Sequence, residues 1–381
     1  MVTGLFVFFA ATTLLYGCFL LWLWFGLNRN KRSGSSTIRP MVSVIIPARN
    51  EETTIARCLA DLDAQSYPAG RYEVLVVDDG SDDSTAAIVQ SNGRVRYLAL
   101  APLPPGWSPK KAALRHGILH SHGEVILTTD ADSRIPPTWI EEMVSHLHPD
   151  TAAVASWVVL PPSDRLLTRL EMLDMLSLQT VGAAAMGHGV PFLANGANWG
   201  YRRSTFEAVQ GFSGHETIAS GDDDLLLQKF LRHGRFSCAF VNHSNSCVTT
   251  TPCRGWREFF MQRLRWASKT ALYPWPVRWL ELAVFLYYVS LLVLLLLVPF
   301  YPSLLVIIIG KYLCDLALIR HVGQNLAMQV RWYDILLASW WQILYMTAIA
   351  LVAWRGRFVW KGREYKRGRL LRQEKDLKRT R

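Results

Sequence analysis

Four short runs constrain the first third of the chain: Val42-Ser43-Val44-Ile45-Ile46, Glu73-Val74-Leu75-Val76-Val77, residues 95–100, and Val125-Ile126-Leu127. Each is β-type and apolar on nearly every residue. Stretches of helical character, 51–62, 84–91 and 109–120, separate them. A strand that is apolar on successive residues is buried on both faces. Strands alternating with helices form a parallel sheet covered on both sides. The expected fold class is therefore α/β with a mostly parallel sheet, and ligands of such sheets gather beyond the carboxyl ends of the strands.

Those ends are polar throughout. The first run ends in Pro47-Ala48-Arg49-Asn50-Glu51-Glu52 and the second in Asp78-Asp79-Gly80-Ser81. The helix after the third opens with Gly106-Trp107-Ser108-Pro109-Lys110-Lys111, and the fourth ends in Asp130-Ala131-Asp132. A turn at Asp79-Gly80 or a cap at Ser84 explains one loop. Neither explains why all four loops on one edge are charged. A dinucleotide fold needs G-x-G-x-x-G after its first strand, and Pro47-Ala48-Arg49-Asn50 excludes it. If 130 and 132 continue the strand, they share a face. Two hard oxygen donors so placed suit Mg²⁺ or Mn²⁺, with phosphate as a further ligand.

The rest of the chain points to a membrane. Half of the 381 residues are hydrophobic, and the net charge is +11. Residues 2–27 hold no charge and are long enough to span a bilayer; they read as an uncleaved anchor. Arg29, Lys31, Arg32 and Arg39 follow without an acid, which puts the next domain in the cytoplasm. Later apolar segments are 279–299, 304–319 and 332–354. The middle one is short and carries Lys311 and Asp315, which lie i, i+4 on a helix and can pair. From 355 to 381 there are twelve basic residues and three acids. Basic clusters beside apolar segments argue for anionic lipid as partner, not nucleic acid. The six cysteines form no C-x-x-C pair, so neither a disulfide framework nor a zinc site is expected.

Two further stretches stand out. Gly221-Asp222-Asp223-Asp224-Leu225 places three acids at the start of a helix, and crowded acids raise at least one pKa, as suits a base. In 254–272, Trp256, Phe259, Phe260, Leu264 and Ala267 recur at helical spacing among Arg254, Arg257, Arg263 and Lys269, the pattern of a basic amphipathic helix in a membrane interface.

In order and spacing, VSVIIPARNEE, VLVVDDGSDDST, GWSPKKAAL, GEVILTTDADS, the acidic run and Gln262-x-x-Arg265-Trp266 resemble family-2 inverting glycosyltransferases of GT-A fold over roughly residues 41–270. The Q-x-x-R-W run is similar to that of membrane-embedded polymer synthases and ceramide-glucosyltransferase-like members. The resemblance implies that Glu51 and one of Asp78 or Asp79 hold the base and ribose of a UDP-sugar. Arg49 stands where several members carry tyrosine. Lys110 would lie against the diphosphate, with Lys111 as the alternative. Asp130 would meet the ribose and phosphate, and Asp132 the metal. Asp223, or Asp222 one register away, would be the catalytic base. Gln262, Arg265 and Trp266 would contact acceptor and product, and the 195–201 turn would back the donor pocket.

The implied organisation is an anchor (1–28), a basic linker (29–40), a GT-A domain (41–253), an interfacial helix (254–272), a transmembrane region (279–354) and a basic cytoplasmic tail (355–381). The implied protein transfers a sugar to a lipid at a bacterial inner membrane, its catalytic domain cytoplasmic. A processive polysaccharide synthase and an inactive nucleotide-binding scaffold are the competing readings. Positive charge on the tail conflicts with three crossings after a cytoplasmic domain, and residues 304–319 are the expected non-crossing segment.

Overall fold

A computed structural model of the chain describes residues 2–30, 39–100, 102–104, 106–234, 236–353, 357–360, 363–366 and 369–372. Lys31, Arg32, the Gly34-Ser35-Ser36 linker and the last nine residues of the basic tail lie outside the described residues.

The expected sheet is present. β1 (Val42–Ala48) pairs in parallel with β2 (Tyr72–Asp78) and with β4 (Val125–Thr128), and β2 pairs with β3 (Val95–Ala99). β5 (Thr151–Ser156) and β8 (Ser237–Val241) are parallel to each other, and β7 (Trp199–Arg202) runs antiparallel between β4 and β5. The order is β3-β2-β1-β4-β7-β5-β8, with β6 (Val158–Val159) paired to β9 (Val248–Thr249) at one side.

Helices cover both faces, as strands buried on both sides require. Val42, Val44 and Ile46 face a core closed by the apolar sides of α2 (Ile55–Asp63) and α5 (Trp139–Ser145), with α3 (Thr85–Ser91) beside α2. Ile45 and Val77 face α4 (Pro109–Leu119) and α6 (Leu166–Gly187). α6 is buried on most sides, because α1 (Val2–Arg29), α11 (Leu305–Asn325) and α12 (Trp332–Ala353) cover its second face. Short α7 (Arg203–Ala208) and then α8 (Asp224–Arg232) complete the domain, and α9 (Trp256–Ala267) follows.

Among the described residues, four helices are long and apolar enough to cross a membrane. They belong to α1 (Val2–Arg29), α10 (Trp275–Leu297), α11 (Leu305–Asn325) and α12 (Trp332–Ala353). α1 enters the core of the domain with Leu20, Leu23 and Leu27, while Phe8, Leu14 and Leu15 stay exposed. It crosses α6 glycine to glycine: a Cβ on Gly187 would sit 1.9 Å from the Gly26 carbonyl oxygen. No side chain fits there, so the two backbones touch.

Three expectations change. The segment read as 304–319 is a helix of 21 residues, because Arg320 and His321 do not end it; the His321 ring stacks on Trp24 with centroids 3.9 Å apart. Lys311 and Asp315 do pair, at 2.5 Å, and Tyr16 of α1 and Ser339 of α12 donate to the same carboxylate. The apolar face of α9 is covered by protein: Phe259 is fully buried against Leu167, Cys253, Tyr345 and Ile349. Arg263 and Lys269 are buried on acids rather than spread toward lipid headgroups. Finally, part of the tail is ordered as an antiparallel sheet of β10 (Arg357–Trp360), β11 (Arg363–Lys366) and β12 (Arg369–Arg372).

Candidate active site

The loops beyond β1 and β2 are stitched together. Asn50 adopts a left-handed conformation, φ 54°, and its N–H donates to Ser81 Oγ while its side-chain oxygen accepts from the Asp82 N–H. The turn carries Glu51 past the strand end, where Thr54 Oγ1 donates to its carboxylate at 3.0 Å. The two following acids separate. Asp78 is buried and accepts from Ser81 N–H, Ser81 Oγ and the Tyr97 hydroxyl, so it organises its own loop. Asp79 faces outward into two guanidiniums, Arg363 at 2.7 Å and Arg49 at 3.7 Å.

The lysine pair separates as well. Lys110 reaches Asp130 Oδ1 at 2.8 Å and Asp222 Oδ2 at 3.3 Å. Burial works against its charge, but Asp130 and then Asp222 outweigh it and hold the ammonium well above its ordinary value. Lys111, one residue on, points the other way. It is buried and donates to the His215 carbonyl, and burial pulls its ammonium down to about 8. Successive helical positions lie about 100° apart, which sends the two adjacent lysines to different partners.

Asp130 and Asp132 do not share a face by continuing β4, which ends at Thr128; they lie in the turn beyond it, closed by Ser133 N–H on the Asp130 carbonyl. Thr250 Oγ1 donates to Asp132 at 3.2 Å. Both carboxylates are partly exposed. Among the described residues no three His, Cys, Asp or Glu side chains gather to enclose a metal. Two accessible hard-oxygen donors fit Mg²⁺ or Mn²⁺ that takes its remaining ligands from phosphate and water.

The triple acid divides three ways. Asp222 faces Lys110. Asp223 caps α8: one oxygen accepts from the Asp224 N–H at 2.7 Å, the other from the Gly196 N–H at 2.8 Å. A Cβ on Gly196 would come within 2.6 Å of Asp222 Oδ2, so the turn approaches both acids only as glycine. Burial pushes the Asp223 carboxyl up, but Lys269 and the hydrogen bonds from Asp224 reverse this and hold it well below its ordinary value. Asp224 is sealed beneath Lys269, at 2.5 Å, and the Tyr273 hydroxyl, at 2.5 Å; burial pushes it up to about 7 against Lys269. The elevated acid of the run is therefore Asp224, which has no exposure, and not Asp223.

The Q-x-x-R-W residues also diverge. Arg265 lies in the field of Asp222, Asp130 and Asp223. Gln262 turns its oxygen to Arg263 and to Cys253 Sγ. Trp266 packs with Met175, Leu160 and Ala197, and the Arg263 guanidinium lies 4.7 Å from its ring centroid. Arg263 is anchored on Asp174 at 2.6 Å and on Glu171 at 3.5 Å, which fixes the rotation of α9 against α6 and leaves Arg265 on the far side of the helix. Sequence reasoning missed Lys269, Tyr273 and Arg363 as site neighbours. Lys269 was visible only as one charge of a basic helix, and nothing local marks the other two.

Residues 43–210 match the family described as Glycosyl transferase family 2. The chain is 28% identical over 262 residues to the probable glycosyltransferase YdaM of Bacillus subtilis, covering 67% of this chain and 61% of that protein. It is 26% identical over 271 residues to the beta-monoglucosyldiacylglycerol synthase of Trichormus variabilis, covering 69% and 56%. The chain thus spans less than two thirds of the length of these curated relatives. Among solved structures, the mannosyltransferase PcManGT from Pyrobaculum calidifontis, in complex with GDP-Man and Mn²⁺, superposes over 93% of this chain and 97% of its own. The TM-score is 0.56 at 20% identity, a likeness of fold. Residues 43–210 thus match glycosyl transferase family 2, and the fold is GT-A-like, flanked by apolar helices.

Proposed function

We propose that the chain is an inverting glycosyltransferase that moves one sugar from a nucleotide-sugar donor, a UDP-sugar, to a lipid or lipid-linked acceptor at a membrane face. The observation that carries this reading is the Lys110 bridge. One ammonium joins Asp130 of the D-x-D turn to Asp222 of the acid run, putting a cation suited to a diphosphate next to the run that holds Asp223. The apolar helices of the chain expose Leu14, Leu15, Leu286 and Leu296, and the Trichormus variabilis relative is named a beta-monoglucosyldiacylglycerol synthase.

In this mechanism Asp223 accepts the proton of the acceptor hydroxyl, worth on the order of 10²–10⁴-fold. The acceptor oxygen bonds to the anomeric carbon as the bond from that carbon to the diphosphate breaks on the opposite face. Lys110 and Arg265 hold the departing negative charge in a desolvated site. A divalent cation at Asp132 and Asp130 would add further neutralisation of the diphosphate. Asp79 and Glu51 take the nucleoside end.

The membrane arrangement that fits has α10 leaving and α11 returning. α10 starts beside Ile218 and Leu225 and meets Phe9 and Leu304 at its other end; α11 comes back to the catalytic core with Leu318, Ile319 and Val322. α12 meets the domain and α9 at several points, Asp334 on Arg169, Trp341 against Phe259 and the Tyr345 hydroxyl on Asp174. It lies against the domain instead of crossing, and α11, not short after all, crosses. The tail then shares the cytoplasmic side with the catalytic domain at a bacterial inner membrane, where each basic residue beside an anionic leaflet gains ~1 kcal/mol.

The test is nucleotide release by the purified chain in lipid nanodiscs, offered a panel of UDP-sugars and GDP-mannose with and without extracted lipid. Lipid-dependent release with a glycolipid product is expected. Absence of release with every donor overturns the reading.

A further inference from the structure

The C-terminal sheet returns to the catalytic domain at three places. On β11, Arg363 sets its fork on Asp79, Nη1 at 2.7 Å from Oδ2 and Nη2 at 3.3 Å from Oδ1. On β12, Arg369 makes a backbone bridge to Ile218, three residues before Gly221 and the acid run. β10 runs beside α9, the helix of Gln262, Arg265 and Trp266. One small sheet therefore meets the nucleoside loop, the loop before the base and the acceptor helix.

The Arg363 contact is costly to build and specific in form. Both partners are nearly buried, with side chains 9% and 11% exposed. A desolvated ion pair adds little stability over apolar packing of equal volume, so stability does not explain it. What a two-pronged fork adds is geometry: it fixes the plane of a carboxylate that a single contact leaves free to rotate. Arg49 approaches the same carboxylate from β1, and its Nη1 donates to the Asp79 carbonyl at 3.1 Å. Tyr365 is buried two residues after Arg363, in the field of Arg363, Arg265, Asp79 and Arg49. The strand thus lies between the nucleoside side of the site and its acceptor side. A carboxylate so oriented accepts from donors such as ribose hydroxyls or the imide N–H of a uracil.

We infer that Arg363 is a positioning residue of the donor site: its fork orients Asp79 toward the nucleoside, and the C-terminal sheet forms the outer wall of the donor pocket. The inference rests on the reading of the site as a nucleotide-sugar site. It assigns a role in donor binding to a segment that lies beyond the last apolar helix, 284 positions from its partner.

The experiment compares the full chain in nanodiscs as wild type, R363A, R363K, D79N and the D79N/R363A double variant, reading donor KM and kcat separately. R363A is expected to raise donor KM about tenfold with kcat within about threefold, the signature of lost binding and not lost chemistry. R363K, which keeps the charge but not the fork, should fall between. On the D79N background, R363A should add less than threefold, because the two residues act as a unit. An unchanged donor KM in R363A, a loss confined to kcat, or full additivity with D79N overturns the inference. If R363A loses its thermal unfolding transition, R363K decides: a donor KM within about twofold of wild type overturns it. A wild type that turns over no nucleotide sugar defeats the parent reading instead. In that case UDP affinity of wild type against R363A still decides this one, a loss supporting it and equality overturning it.

Discussion

Lys110 Nζ lies 2.8 Å from Asp130 and 3.3 Å from Asp222, so one side chain ties the turn after β4 to the turn before α8. Both contacts are charge-assisted, and the lysine stem is largely removed from water. Replacing Lys110 by Ala leaves two carboxylates facing each other without a counter-charge. We expect K110A to lower kcat/KM for the donor by about 100-fold or more, in the range seen when a buried charged partner is removed. K111M should leave donor KM within about threefold, since the Lys111 ammonium donates to the His215 carbonyl and not to Asp130. Steady-state kinetics of the two variants check the assignment; equal effects would mean that the orientation of α4 is misjudged.

The acid run should show three distinct phenotypes. D223N is expected to keep UDP affinity and lose transfer by about 100-fold or more, because the amide still caps α8 but takes no proton. D222N should act mainly through donor binding, by releasing Lys110. D224N should lower thermal stability with a milder effect on turnover, since Asp224 is sealed under Lys269 and Tyr273. Transfer and UDP binding measured in parallel separate the three. A dead D222N beside an active D223N moves the base one position.

Metal dependence follows from the turn at Asp130-Ala131-Asp132. Activity should vanish in excess EDTA and return with Mn²⁺ or Mg²⁺, and D132A should not be rescued by either at millimolar concentration. Mn²⁺ bound in the presence of UDP, read by electron paramagnetic resonance, gives a check independent of turnover. Full activity in chelator would remove the metal from the mechanism.

Topology is testable with single cysteines and a membrane-impermeant maleimide on intact cells. Positions in the turn between α10 and α11, such as Ser303, should label from outside. Positions after α11, such as Gln329, and positions in β12, such as Arg369, should label only after permeabilisation. Labelling of the β12 position on intact cells would mean that α12 crosses, and would be irreconcilable with Arg363 reaching a cytoplasmic Asp79.

The sequence by itself determined the first four strands, the charged edge and the hydrophobic helices, because these depend on short-range periodicity and on the chemistry of single segments; β5, β7 and β8 came only with the tertiary structure. β1 to β4 were visible as apolar runs within a residue or two at each end, and the loops that carry Glu51, Asp79, Lys110 and Asp130 follow from where those runs stop. What the tertiary structure alone decided was which member of each adjacent pair faces the site. Asp79 over Asp78, Lys110 over Lys111, and the separation of Asp222, Asp223 and Asp224 depend on strand alternation, helical rotation and on what lies across the gap: Tyr97, His215, Lys269. The elevated acid of the run could not be assigned from like-charge crowding, because burial beneath Tyr273, 49 positions away, outweighs the neighbouring charges. The lipid-facing reading of α9 failed for the same reason: a hydrophobic face does not say whether lipid or Tyr345 of α12 will cover it. Arg363 is the extreme case. In a run of twelve basic residues nothing local distinguishes it, and only the path of the chain through α10, α11 and α12 brings it to Asp79.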